Sequence, residues 1–170
     1  MSKVVICSEC GEIHPEEEME LTFRRPDVIV ALAETDRAVQ CKEDNDLCAL
    51  QGSTPDQHRY FVRGTLSLPV QGRNEPYNLG IWAETKKKNF DKILELWSHD
   101  DQASQPPFDG IVANEIPLQE TTIGLQVSIQ LTGVATRPSF KVTNKLHKLY
   151  REQLNGISAH QAHAYTRQVI

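Results

Sequence analysis

Across residues 59–70 apolar and polar side chains alternate, with Tyr60, Val62, Leu66 and Leu68 on one parity, and this predicts a strand. Residues 71–76 carry turn formers, and Tyr77–Thr85 reads as the return strand of a hairpin. Further on, Leu125, Val127, Ile129 and Leu131 alternate strictly with Gln126, Ser128, Gln130 and Thr132. One face buried and one wet is the signature of an antiparallel sheet. Strands are therefore predicted over residues 109–116, 124–133 and 139–142. The period changes over residues 86–97, where Phe90, Ile93, Leu94 and Trp97 fall at i, i+3, i+4 and i+7 and predict an amphipathic helix.

Shorter signals complete the outline. Residues 26–33 predict a short helix, with Pro26 in its first turn and Val28, Ile29 and Leu32 on one side. Leu146, Leu149 and Tyr150 followed by Gly156 predict another helix with its stop, and Ser158 caps a last one running to about residue 168. Residues 3–14 read as a short strand entering a turn, and 34–57 as polar and irregular. Strands, helix, strands, helices is an α+β order: a mainly antiparallel sheet of about five strands, three to four helices and an N-terminal zinc-knuckle-like lobe. The expected organisation is one domain over 1–170, with a cysteine-containing acidic lobe (1–57) ahead of an α+β core (58–170).

Composition adds limits. An apolar fraction of 39% and a charged fraction of 24% are those of an ordinary soluble protein, and no stretch approaches the roughly 20 apolar residues that span a bilayer. The start is too short in apolar residues for a signal-peptide core, so a cytoplasmic location is expected. The net charge is −5, and it is uneven: residues 1–50 hold 12 acidic and 5 basic side chains, among them Glu16, Glu17, Glu18 and Glu20. That acidity disfavours nucleic-acid phosphates and suits a basic protein partner; a merely solvated loop is the ordinary alternative.

Cys7-x2-Cys10-Gly11 is the sequence of a metal knuckle. Two thiolates two residues apart grip one tetrahedral ion, and Gly11 suits the positive φ that closes such a turn. In a reducing compartment the four cysteines point to metal or free thiols before disulfides, and zinc is the expected ion. A redox dithiol needs the pair at a helix N-terminus, and Gly11 and Pro15 interrupt any helix there. His160 and His163 share a helical face at i and i+3 and could share a metal, although a solvent-exposed terminal helix explains them as well. Arg63 lies inside an apolar strand; with Glu84, Asn89 and Asn114 it is a candidate to line a polar pocket, against the commoner solvent-facing or ion-paired arginine. Trp82, Trp97 and Phe108 read as core. The sequence holds no Ser-His-Asp motif, phosphate-cradling glycine loop or HExxH stretch.

Spaced motifs then carry a resemblance. Cys7-x2-Cys10-Gly11-x2-His14, Leu47-Cys48, Tyr60-Phe61-Val62-Arg63-Gly64-x-Leu66-x-Leu68-Pro69-Val70 and Gly80-Ile81-Trp82 come first. Asn89-Phe90, Glu95-Leu96-Trp97, Pro106-Pro107-Phe108-x-Gly110, Asn114-Glu115-Ile116-Pro117, Thr122 and Arg137-Pro138 follow, and His147-x-Leu149-x3-Gln153-x2-Gly156-Ile157 completes the series. Together they resemble a bacterial family of uncharacterised proteins whose members open with CxxCGxxH and continue through an FIRGxLxxPV strand. The resemblance spans nearly the whole chain and implies a bacterial, cytosolic, single-domain protein with no established activity. This chain departs from the family at His147-Lys148-Leu149, where His-Pro-Leu is usual.

Cys48, in the matching Leu-Cys, is the expected third ligand beside Cys7 and Cys10, and His14 and Cys41 compete for the fourth position. Two functional classes fit. One is a non-enzymatic protein-binding module with structural zinc, for example an inhibitor or immunity-type protein that neutralises a partner. The other is a zinc-dependent hydrolase-type enzyme, whose metal keeps one position open for water.

Overall fold

The computed structural model describes residues 4–7, 9–15 and 19–169, the side chains of Val4, Val5, His14 and Pro15 excepted. Strands β1 (Val4–Ile6) and β2 (Ile13–Pro15) form an antiparallel hairpin around the knuckle. Two short helices follow, α1 (Asp27–Val30) and α2 (Glu34–Gln40), then β3 (Cys41–Glu43) and β4 (Leu47–Leu50). The long hairpin β5 (Arg59–Leu68) and β6 (Tyr77–Thr85) leads to α3 (Lys87–Leu96). Strands β7 (Phe108–Val112), β8 (Gln126–Gln130) and β9 (Ser139–Val142) precede α4 (Lys148–Asn155) and α5 (Ala159–Thr166).

The α+β class stands, with five helices among the described residues, but the sheet differs from the expected antiparallel one. Seven strands run in the order β3-β4-β5-β6-β7-β8-β9, and β9 returns to pair with β5. Neighbours are antiparallel except at that closure, where Thr65 and Ser139 pair in parallel, so β5 to β9 form a closed barrel of mixed sense. One edge of β5 is shared: residues 59–62 pair with β4, and residue 65 with β9. Gly64 sits at the changeover, and a Cβ there would lie 2.4 Å from the Phe140 ring. The missing side chain is what lets Phe140 reach its buried position.

The closing seam is short, and α4 seals it. Gln153 accepts from the Val142 amide at 2.9 Å and donates to the carbonyls of Phe140 (2.9 Å) and Ser67 (3.5 Å). One side chain thus bonds backbone groups of both strands, which buried edges require. Leu66, Leu68, Leu79, Ile81, Val127, Ile129, Phe140 and Val142 form the main core, joined by Leu149, Ala162 and Tyr165 from the last two helices. On the row of Tyr60, Val62 packs instead with Phe90, Ile93 and Leu96 of α3. The stripe of α3 therefore runs through Leu96, while the expected Leu94 is exposed.

Both faces of β5 are buried. The other row, led by Phe61, packs with Ile29, Cys48, Trp82 and Ala113 beneath α1. The segment expected to be irregular, 34–57, holds α2, β3, β4 and a 3₁₀ turn (Pro55–Gln57). Its elements are too short for a periodic signal: α2 buries no residue, and the β3–β4 turn is fixed by Asp44 Oδ1 accepting from the Asp46 and Leu47 amides. Among the described residues no helix is long and apolar enough to cross a membrane.

Candidate metal centre

The knuckle turn is built by its own backbone. The Cys7 amide donates to the Glu12 carbonyl at 2.7 Å, and the Gly11 amide donates to the Cys7 carbonyl at 2.8 Å. Gly11 adopts φ 72°, the left-handed conformation that glycine accepts without steric cost. The Glu9 amide points at Cys7 Sγ at 3.4 Å. A thiolate there receives backbone donors before any metal arrives.

The third donor comes from the far end of the chain. Ser158 caps α5 with a capping box: its hydroxyl takes the Gln161 amide, and the Gln161 side chain takes the Ser158 amide. Ala162 and Tyr165 anchor the helix in the core, and His160 stands one turn before Tyr165's end of it, half-buried against the hairpin. His160 Nδ1 lies 3.4 Å from Cys7 Sγ. One ligand atom from each of Cys7, Cys10 and His160 falls within 4.8 Å of the other two, close enough to hold one metal ion.

The electrostatics of the two thiols diverge. Burial pushes Cys7 up, but hydrogen bonds from the Cys10 and Glu9 amides, the Cys10 thiol and His160 outweigh it and hold Cys7 below the usual thiol value. The Glu12 amide lowers Cys10, but desolvation together with the adjacent Cys7 raises it on balance. Cys7 is thus the thiol of the pair that ionises first, since two adjacent negative charges repel.

The expected third ligand is not at this site. Cys48 pairs with Phe61 across β4–β5 and is 1% exposed among Ile29, Phe61, Trp82 and Ala113. Burial pushes its thiol up to about 12, so it stays protonated, as a small apolar side chain. Cys41 packs at the margin of the same cluster, and burial raises its thiol too. The His14 side chain, the other expected ligand, lies outside the described residues, as do Glu16, Glu17 and Glu18. The histidine pair on α5 is half-buried rather than solvent-exposed, and it is His160 that joins the cysteines. Its i, i+3 spacing with His163 was the available signal; its distance of 153 residues from Cys7 hid the partnership.

The other polar candidates separate as well. Asn114 is a fully buried brace, accepting from the Trp82 amide and donating to the Arg25 carbonyl and Asp27. Glu84 closes a bidentate ion pair with Arg59, and Asn89 donates to Thr85. Arg63 is buried beside Trp82.

Fold and site define an α+β protein with a closed mixed barrel and a Cys-Cys-His cluster able to take a metal. The chain belongs to the DUF2199 family of uncharacterised proteins conserved in bacteria, which matches it over residues 6–157. His160 lies just beyond that span. No curated protein and no solved structure matches the chain.

Proposed function

We propose that Cys7, Cys10 and His160 hold a zinc ion that staples the N-terminal hairpin to α5, and that the protein is a cytosolic, non-enzymatic protein-binding module. The observation that carries the metal assignment is the convergence of two thiols from one turn and an imidazole from the last helix within 4.8 Å. Soft sulfur with imidazole is a zinc donor set. On sequence grounds we assign the fourth position to His14, as in Cys7-x2-Cys10-Gly11-x2-His14, which closes the site. A closed site holds structure and leaves no place for substrate. The acidity of residues 1–50 supports a basic protein partner, with an inhibitor or immunity-type role as the concrete form.

Metal analysis of purified protein tests the site: about one zinc per chain is expected for a tetrahedral site, and a ratio near zero overturns it. Cobalt substitution tests closure. Tetrahedral spectra without bound water support the module, and a water ligand exchangeable with cyanide or azide favours the hydrolase reading instead. Pull-down at modest salt should recover a basic protein that high salt releases, and recovery of no specific partner counts against the binding role.

A further inference from the structure

Arg63 is the second feature the fold isolates. It lies on β5 opposite Trp82 of β6 and is only 8% exposed, yet its guanidinium forms no salt bridge among the described residues. Nη1 donates to the Asn45 carbonyl at 3.2 Å, and the buried Nε–H has no acceptor. Buried charges are ordinarily paired and buried donors ordinarily satisfied, so this group lacks a partner that the described residues do not supply.

Its surroundings add positive charge. Arg25 and Arg63 each place their guanidinium carbon 5.9 Å from the centre of the Trp82 ring. Arg24 and Arg137 act on Arg63 electrostatically, as do Arg25 and Asp46. Glu43 takes Arg25 at 2.9 Å and Arg37 at 2.7 Å, and Asp46 takes Arg137 at 2.8 Å. Glu43 is thus shared by two arginines, and Arg24 and Arg63 form no salt bridge among the described residues, in a chain whose net charge is −5. Arg24 and Arg137 are exposed.

We propose that Arg63, with Arg24 and Arg137 at its rim, is the floor of a binding site for a phosphate-bearing ligand. The excess charge exceeds what one carboxylate would neutralise, and a phosphate monoester brings two negative charges and several acceptor oxygens. The planar guanidinium fork is matched to that geometry. Trp82 beneath two guanidiniums holds them in place from the apolar side. This site is independent of the metal centre, being on the β5–β6 wall and drawing on no knuckle residue.

Titration calorimetry on the zinc-loaded full chain, at low and constant ionic strength, tests the proposal with inorganic phosphate, adenosine monophosphate and acetate. Both phosphates should bind at least tenfold more tightly than acetate. Arg63→Gln should weaken phosphate about tenfold or more, the effect of losing a charge-assisted hydrogen bond, and the exposed substitutions Arg24→Gln and Arg137→Gln should each weaken it several-fold without harm to folding. Arg63→Lys, which keeps the charge and loses the fork, should bind less tightly than the unaltered protein. Tighter binding of adenosine monophosphate assigns the phosphate to an organic carrier, and equal binding assigns free phosphate. The proposal is overturned if phosphate binds no better than acetate, or if the rim variants bind as the unaltered protein does. Binding confined to a single-stranded oligonucleotide also overturns it.

Discussion

The β1–β2 hairpin and the β5–β9 seam both join distant parts of the chain, and they do so by different physical means. At the seam, apolar burial and backbone pairing suffice: Phe140 fills the space left by Gly64, and Gln153 bonds the strands that the short parallel contact leaves apart. In the hairpin the two isoleucines whose side chains are described, Ile6 and Ile13, are 70% and 64% exposed. There Cys7 and Cys10 meet His160 of α5 within reach of one metal ion. The cysteines divide along the same line. Cys48 belongs to the packed wall and behaves as a hydrophobe, while Cys7 sits among donors that favour its thiolate. The proposed zinc would give this small element what packing gives the barrel.

Substitution of the two kinds of cysteine should separate them most sharply. Cys7→Ser should abolish stoichiometric zinc, because a serine hydroxyl stays protonated and does not replace a thiolate. Cys48→Ser should keep zinc unchanged and destabilise the fold by about 1–3 kcal/mol, the cost of burying a hydroxyl without a partner. Metal analysis and denaturant unfolding on both variants check this, and zinc loss in Cys48→Ser would place that residue at the metal after all. His160→Ala should behave as Cys7→Ser does. Amide exchange in the hairpin should rise about tenfold or more while β5 and β6 stay protected, as expected of a locally opening unit.

The seam gives effects of the next size. Gly64→Ala should cost about 1–3 kcal/mol, since the new methyl meets the buried Phe140 ring and the core has no room to yield. Gln153→Ala should cost about 1–3 kcal/mol by leaving the buried Val142 amide unpaired. Neither should change the zinc content. If either does, the seam and the clip are one cooperative unit and the contrast between them fails.

This contrast also explains what the sequence could tell. Cys7, Cys10 and Gly11 were legible because the knuckle is local: its geometry is made by amides within five residues. His160 was not, because a ligand set completed across 153 positions leaves no spacing signal, and only α5 docking through Ala162 and Tyr165 brings it there. Cys48 drew the assignment because its position beside a core strand reads alike for a ligand and a buried thiol. Strands β5, β6 and β8 were visible from alternation, but alternation names no partner. The closure of β9 on β5 depends on Gly64, Phe140 and Gln153 meeting in space. Arg63 stands out in the sequence as a charge inside an apolar strand, and its unsatisfied Nε–H is a property of the folded wall alone.

A further expected effect comes from pH. Burial raises the folded-state Cys48 thiol to about 12, whereas an unfolded cysteine ionises near 8.5. The raised value means the folded protein holds its proton longer than the unfolded chain does. The stabilising contribution is complete below about pH 8.5 and is lost progressively as pH rises toward 12. Cys48→Ala should remove this part of the alkaline decline, and the gap in stability between it and the unaltered protein should narrow from pH 8 to pH 10. Unfolding midpoints across that range, taken on zinc-loaded protein, check it. An unchanged gap would mean that Cys48 reaches solvent in the native state, and the barrel wall would then be no better sealed than the knuckle.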